Sequence, residues 1–306
     1  MQQRKAIEIL VSVTPRDLRW ARICLASVRR FHPDSPVRLL PGAPLPQGFV
    51  REVSEYLKAG LYPLEPGEYG WGFVKLEPLF QEPGRRFLVL DADTILLGPV
   101  IQFFERSQAA FLVDDETQPE EKMRALYYDW DRVRKVDTQA IRPRLVFNSG
   151  QWFGTSGVLS RYDFGRWVEW TIPRKLRYPG VFMPGDQGIL NYVVNQRHQL
   201  DGLEVECRKI MRWPGHGLDD IKIDDVEANR ISQIVHWAGY KVPRLETLPR
   251  ADLLLHFERS YYERIPGGER LRQARAWKAS LGYHLRTTRI KLEQRLQNIL
   301  GKRTMA

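Results

Sequence analysis

Residues Phe87 to Leu90 form an unbroken apolar run that ends in two carboxylates one residue apart, Asp91 and Asp93, before apolar residues resume. The run reads as a buried strand, and an Asp at the C-terminal end of a parallel strand lies in the crevice where α/β sheets bind ligands. Two close carboxylates repel unless protons or a cation compensate them, so the pattern points to a divalent metal. The plainer alternative is that Asp91 and Asp93 only cap the turn that follows.

The rest of the chain supplies elements for such a sheet. Residues 6–14 read as a first buried strand ended by Pro15, followed by a helix from Asp17 to about Phe31 and a short strand over 37–40. Residues 41–70, rich in Pro and Gly, read as a loop with one short helix, and 71–81 as a helix limited by Pro78. Further strands are expected over 86–90, 109–115, on both sides of Asn148-Ser149-Gly150, in "GLEVEC" and in "SQIVHWAG", with a helix opening at Asp186. The order is βαβ-like at first and mixed later, and 306 residues suffice for one large α/β domain or two small ones.

Three later stretches carry chemistry. Phe147-Asn148-Ser149-Gly150 places an amide side chain and a glycine at a strand end. Asp186 and Gln187 open a helix, where the dipole favours a carboxylate; a plain N-cap would look the same. His236 closes a strand and is followed by Gly239 and Lys241, and a lysine there suits a diphosphate oxygen.

In this order, Asp91-Ala92-Asp93, Phe147-Asn148-Ser149-Gly150, Asp186-Gln187-Gly188-Ile189-Leu190-Asn191 and His236 with Gly239, Lys241 and Pro243 resemble the retaining GT-A glycosyltransferases of family eight, the glycogenin and lipopolysaccharide galactosyltransferase type. The resemblance runs from about residue 6 to 245. It departs at the last motif, where Lys241 comes one residue early and Arg244 stands where an aromatic is common, which leaves two candidates for the phosphate contact, Lys241 and Arg244.

The resemblance implies a GT-A fold, a Rossmann-like mixed sheet flanked by helices, and a metal-dependent hexosyltransferase that moves a sugar from a nucleotide-sugar, UDP-linked, to a saccharide or lipid-linked glycan acceptor with retention. It implies that Asp91, Asp93 and His236 hold Mn²⁺, with Mg²⁺ the second choice because one imidazole joins the oxygens. Asn148, Asp186 and Gln187 are implied at the donor sugar or the reacting face. Thr14, Lys75, Ala92, Gly239, Lys241 and Arg244 are implied on the donor nucleotide. An inverting GT-A enzyme with Asp186 as base is the alternative.

Charge constrains partners. The net charge is +10, but from Arg264 onward eleven Lys or Arg stand against two Glu, so the rest of the chain is nearly neutral. Nucleic-acid binding is not expected, because aromatics are not interleaved with the basic residues as in stacking platforms. Leu271, Ala274, Trp277, Leu281, Leu285, Leu292, Leu296 and Ile299 instead form one helical apolar stripe amid Arg and Lys, the composition of a helix lying on an anionic membrane. The expected organisation is a transferase domain over 1–265 and a basic amphipathic tail over 266–306.

No run approaches the roughly 18 apolar residues of a membrane span. The N-terminus reads as a strand rather than a signal peptide, and Cys24 and Cys207 as reduced core thiols. The expected setting is the cytoplasm, peripheral on the inner face of the membrane, in lipopolysaccharide-like cell-surface glycan synthesis.

Overall fold

A computed structural model describes residues 6–65, 67–116, 118–215, 217–240 and 244–282. The chain divides into two compact units, Met1–Ala238 and Gly239–Ala306.

The first unit is built on a seven-stranded sheet in the order Val205–Cys207, Phe111–Val113, Gln151–Thr155, Arg86–Asp91, Glu8–Val13, Val37–Pro41, Ala59–Leu61. Its strands are β1 (Glu8–Val13), β2 (Val37–Pro41), β3 (Ala59–Leu61), β4 (Arg86–Asp91), β6 (Phe111–Val113), β7 (Gln151–Thr155) and β10 (Val205–Cys207). All neighbours run parallel except β7, which is antiparallel to both β4 and β6. A second sheet joins β5 (Thr94–Leu96), β11 (Met211–Arg212) and β12 (Ile234–His236), and β8 (Val168–Glu169) pairs β9 (Lys175–Leu176).

β1 and β4 are the central strands, and their apolar residues are buried on both faces, as the unbroken hydrophobic runs require. The register sets Ser12 opposite Asp91, so β1 and β4 end together at one edge of the sheet. The Leu18–Phe31 helix crosses back against the sheet with Ile23, Leu25 and Val28 fully buried, and His32-Pro33 ends it. On the β6–β7 side, aromatic rings fill the core: Trp152 stacks on Phe111 at 5.7 Å and meets Phe87 edge-on at 5.5 Å.

Several sequence expectations change. Residues Phe73–Phe80 form a 3₁₀ helix, the tighter winding in which Pro78 is accommodated. Only Phe111–Val113 of the 109–115 stretch is strand, because Asp114 turns its carboxylate to accept the N–H groups of Ile210 and Met211 at 2.8 Å. Residues 145–147 form no strand. Asn195 Oδ1 accepts from Arg144 and Leu145, and Asn191 Oδ1 from Phe147, so side-chain amides do what a neighbouring strand would do. Cys24 is buried, but Cys207 is exposed rather than in the core; both thiols are free.

The second unit holds a 3₁₀ turn (Leu245–Thr247), the Ala251–Glu263 helix and helical turns over 268–282. Gly267 turns the chain at φ 67°, and Gly268 packs so tightly on the Tyr262 carbonyl that a Cβ there would lie 1.9 Å from its oxygen. Arg272 Nη2 pairs with Glu269 at 2.7 Å, and the Arg275 guanidinium lies 5.7 Å from the Tyr262 ring centre. Of the predicted apolar stripe, Trp277 is 68% and Leu281 43% exposed. Its later members Leu285, Leu292, Leu296 and Ile299 lie outside the described residues. Among the described residues no helix is long and apolar enough to cross a membrane.

Candidate active site

The carboxylates come from a tight turn between β4 and β5. Asp91 ends β4, Ala92 is buried in the turn, and the Thr94 hydroxyl donates back to the Asp91 carbonyl at 2.7 Å. β12 then pairs antiparallel with β5, His236 opposite Thr94, and the Trp237 N–H donates to the Asp93 carbonyl at 2.9 Å. This pairing delivers a buried imidazole to the turn: His236 Nε2 lies 3.1 Å from Asp93 Oδ1 and 4.0 Å from Asp91 Oδ2. One ligand atom from each of the three residues lies within 4.8 Å of the others. Two hard oxygens and one borderline nitrogen, converging on one point, fit a divalent cation. Burial pushes the Asp93 carboxyl up, but the facing imidazole outweighs it and holds the group below its ordinary value. The imidazole is correspondingly raised: burial pulls it down, and the Asp93 charge more than restores it.

A second cluster adjoins the first. Lys75, only 3% exposed, places Nζ 3.0 Å from Asp91 Oδ1, 3.1 Å from Asp186 Oδ2 and 3.0 Å from the Ser149 carbonyl. The contact with Asp186 is an ion pair without a well-directed hydrogen bond. Burial works against the ammonium, yet the two carboxylates hold its pKa above the ordinary lysine value. Burial pushes the Asp186 carboxyl up to about 6 against the pull of Lys75. Asp186 precedes the Gln187–Asp201 helix but makes no side-chain cap; its carboxylate turns to Lys75 instead. Gly72 permits this. Its φ is 77°, and a Cβ there would sit 1.9 Å from Asp186 Oδ1.

The amides form a third group. Asn148 Nδ2 donates to Gln187 Oε1 at 3.1 Å, and Gln187 Nε2 donates to the Leu126 carbonyl at 3.2 Å. Asn148 Oδ1 accepts from the Gly150 N–H, and the Gly150 carbonyl accepts from Asp91 N–H at 2.7 Å, which ties this turn to β4. The Gln187–Asp201 helix therefore presents Gln187, Asn191 and Asn195 on one face at intervals of four, all engaged with the 144–149 segment.

The structure thus brings together Asp91, Ala92, Asp93, His236, Lys75, Asp186, Asn148 and Gln187. Thr14 lies just beyond β1 at the same sheet edge, its hydroxyl donating to Asp17 Oδ2 at 2.5 Å. In the second unit Gly239 has φ 82° and Arg244 is exposed before the Leu245–Thr247 turn; Lys241 lies outside the described residues. Sequence reasoning missed Gly72, whose signal was the pair of glycines around Trp71 just ahead of Lys75. It also missed Trp213, whose ring stacks on His236 at 5.6 Å and 20°, and Glu116, which accepts the Trp213 indole N–H at 3.2 Å. No local pattern marks either.

No protein-family model matches the chain, and no curated protein matches it. Solved structures do match its fold. The galactosyltransferase LgtC, in complex with donor and acceptor sugar analogs, superposes with a TM-score of 0.55 at 14% identity, covering 83% of this chain and 96% of that one. The apo bifunctional glycosyltransferase WbbM gives 0.53 at 13% identity, covering 86% of this chain and 52% of that one, so this chain spans about half of WbbM. The mixed, mostly parallel sheet flanked by helices is the arrangement of these GT-A proteins.

Proposed function

We propose that the chain is a metal-dependent GT-A glycosyltransferase that moves a sugar from a nucleotide-sugar to a saccharide or lipid-linked glycan. The observation that carries this reading is the convergence of Asp91, Asp93 and His236 at the C-terminal edge of the parallel strands, where such sheets bind ligands. These three residues hold a divalent cation, Mn²⁺ by the chemistry of the set. When bound, the cation supplies Lewis-acid compensation for charge gathering on a departing diphosphate.

The other residues position. Lys75, paired with buried Asp186, holds the Asp91 carboxylate. Asn148 and Gln187 orient each other at the edge of the turn and offer their remaining hydrogen-bonding capacity to sugar hydroxyls. β1 ends with Thr14 beside β4, the expected place for the nucleobase. Gly239, Lys241 and Arg244 stay in the proposal as phosphate contacts on their sequence spacing alone.

Transfer with retention is the favoured stereochemistry. An inverting enzyme needs a carboxylate base reaching the acceptor hydroxyl. Asp186, the candidate, is 4% exposed and turned toward Lys75, which speaks for the retaining reading. The exposed Trp277 and Leu281 beside Arg275 and Lys278 support a peripheral association with an anionic membrane, where a lipid-linked acceptor would be met.

The test is release of UDP from a panel of UDP-sugars by the purified chain with Mn²⁺, with excess chelator, and with Asp93→Ala. The expected result is turnover that needs the metal and falls by orders of magnitude in the variant. Full turnover under chelation, or by Asp93→Ala, would overturn the proposal.

A further inference from the structure

A histidine that ligates a metal is ordinarily held in plane by a hydrogen bond from its other ring nitrogen to a carboxylate, carbonyl or water. His236 departs from this. Nε2 faces Asp93 and Asp91, but Nδ1 is buried and no group among the described residues hydrogen-bonds it. The ring is fixed by contact instead. Trp213 stacks on the imidazole at 5.6 Å and 20°. Gly150 closes the edge: a Cβ there would lie 2.1 Å from His236 Cε1 and 2.7 Å from Nδ1.

Trp213 is itself anchored. Its indole N–H donates to Glu116 Oε1 at 3.2 Å, and Glu116 also accepts from Gln118 Nε2 at 2.8 Å and from the Tyr127 hydroxyl, on Oε2, at 2.7 Å. Glu116 N–H donates to the Val146 carbonyl at 3.0 Å, just before Asn148. Leu126, next to Tyr127, accepts from Gln187. One buried carboxylate therefore ties the wall behind His236 to the segments that carry Asn148 and Gln187.

We propose that Trp213, anchored by Glu116, is a positioning residue for the metal ligand His236, an aromatic wall taking the place of the second hydrogen bond. An indole lying over the imidazole restrains ring tilt and keeps Nε2 aimed between the two carboxylates. The inference rests on the metal reading of Asp91, Asp93 and His236, and extends it to residues that touch neither metal nor substrate.

The experiment is a titration of the full chain with Mn²⁺, read from the electron paramagnetic resonance signal of the free ion, beside metal-free chemical unfolding of each variant. Trp213→Leu is expected to weaken Mn²⁺ binding on the order of tenfold, the scale of lost outer-shell support. Trp213→Phe, which keeps a stacked ring, is expected to stay within about threefold. Trp213→Met, unbranched and able to adapt its shape but without a planar face, carries the same expectation as leucine, should the leucine variant not fold. Trp170→Leu, in the aromatic cluster of Phe80 and Phe164, is the control for general destabilisation and is expected to bind as the parent does. Parental affinity in the leucine or methionine variants overturns the inference and leaves the metal reading standing. So does an equal loss in Trp170→Leu. A parent chain that binds no Mn²⁺ overturns both.

Discussion

The ammonium of Lys75 and the carboxylate of Asp186 face each other at 3.1 Å, both almost wholly buried, and only the first also reaches the Asp91-Ala92-Asp93 turn, through Asp91. Removing one partner of such a pair strands the other in a medium that solvates it poorly. Lys75→Met is expected to lower stability by about 3–5 kcal/mol. Asp186→Asn added to it should recover part of the loss. Denaturant titration followed by tryptophan fluorescence checks this, and a parental midpoint for Lys75→Met would contradict it.

Gly72 and Gly217 separate crowding from backbone strain. Both have φ near +76°, at 77° and 75°, but a Cβ at Gly72 meets Asp186 Oδ1 at 1.9 Å whereas one at Gly217 meets nothing within 4 Å. Gly217→Ala is expected to cost about 1–2 kcal/mol, the penalty of the left-handed conformation alone. Gly72→Ala should cost clearly more and, by displacing Asp186, lower turnover as well. Thermal unfolding and UDP release measure the two effects separately.

Two groups away from the site, buried Asp114 and half-buried His32, should tilt the pH dependence of stability in opposite directions. Burial raises the Asp114 carboxyl from 3.8 to about 6. The folded state then holds that proton more tightly than the unfolded one, and the stability it brings is complete below pH 4 and lost as pH rises through 6. Burial lowers the His32 imidazole from 6.5 to about 4. Its contribution is complete above pH 6.5 and lost as pH falls toward 4. Relative to the parent, Asp114→Asn should therefore gain about 2 kcal/mol between pH 4 and 7, and His32→Gln should gain a similar amount in the reverse direction. Unfolding curves at successive pH values give both slopes.

The stereochemical outcome has a direct readout. With a donor sugar linked α to the nucleotide, the transfer product should carry an α linkage, seen in the coupling of its new anomeric proton by NMR. A β product would return Asp186 to consideration as a base and require it to leave Lys75.

How far the sequence disclosed the site depended on where each restraint comes from. β4 with Asp91, and β12 with His236, were legible because an apolar run ending in a polar residue is a local pattern. That the two meet was not, because the antiparallel pairing of β5 with β12 is set by the whole sheet. The 145–147 stretch reads as a strand because its residues suit one, but Asn191 and Asn195 occupy the hydrogen bonds a neighbouring strand would have used. Lys75 was expected on the donor, and its burial between Asp91 and Asp186 appears only when three distant segments are packed together. Trp213 and Glu116 left no trace in the sequence, since stacking on a ring far along the chain has no spacing to read.

The pairing of Asp93 with His236 spans 143 residues. Closing so long a loop carries an entropic cost that local contacts do not share, and it is met only when β12 has been made and docked on β5. During synthesis the acidic turn is therefore present long before its imidazole, so the nascent chain offers a cation two carboxylates and no nitrogen. Such a half-site has little to discriminate Mn²⁺ from the more abundant Mg²⁺. On the proposed metal reading, selectivity would thus be acquired at the end of folding, as a property of the finished unit rather than of the motif that first suggests it.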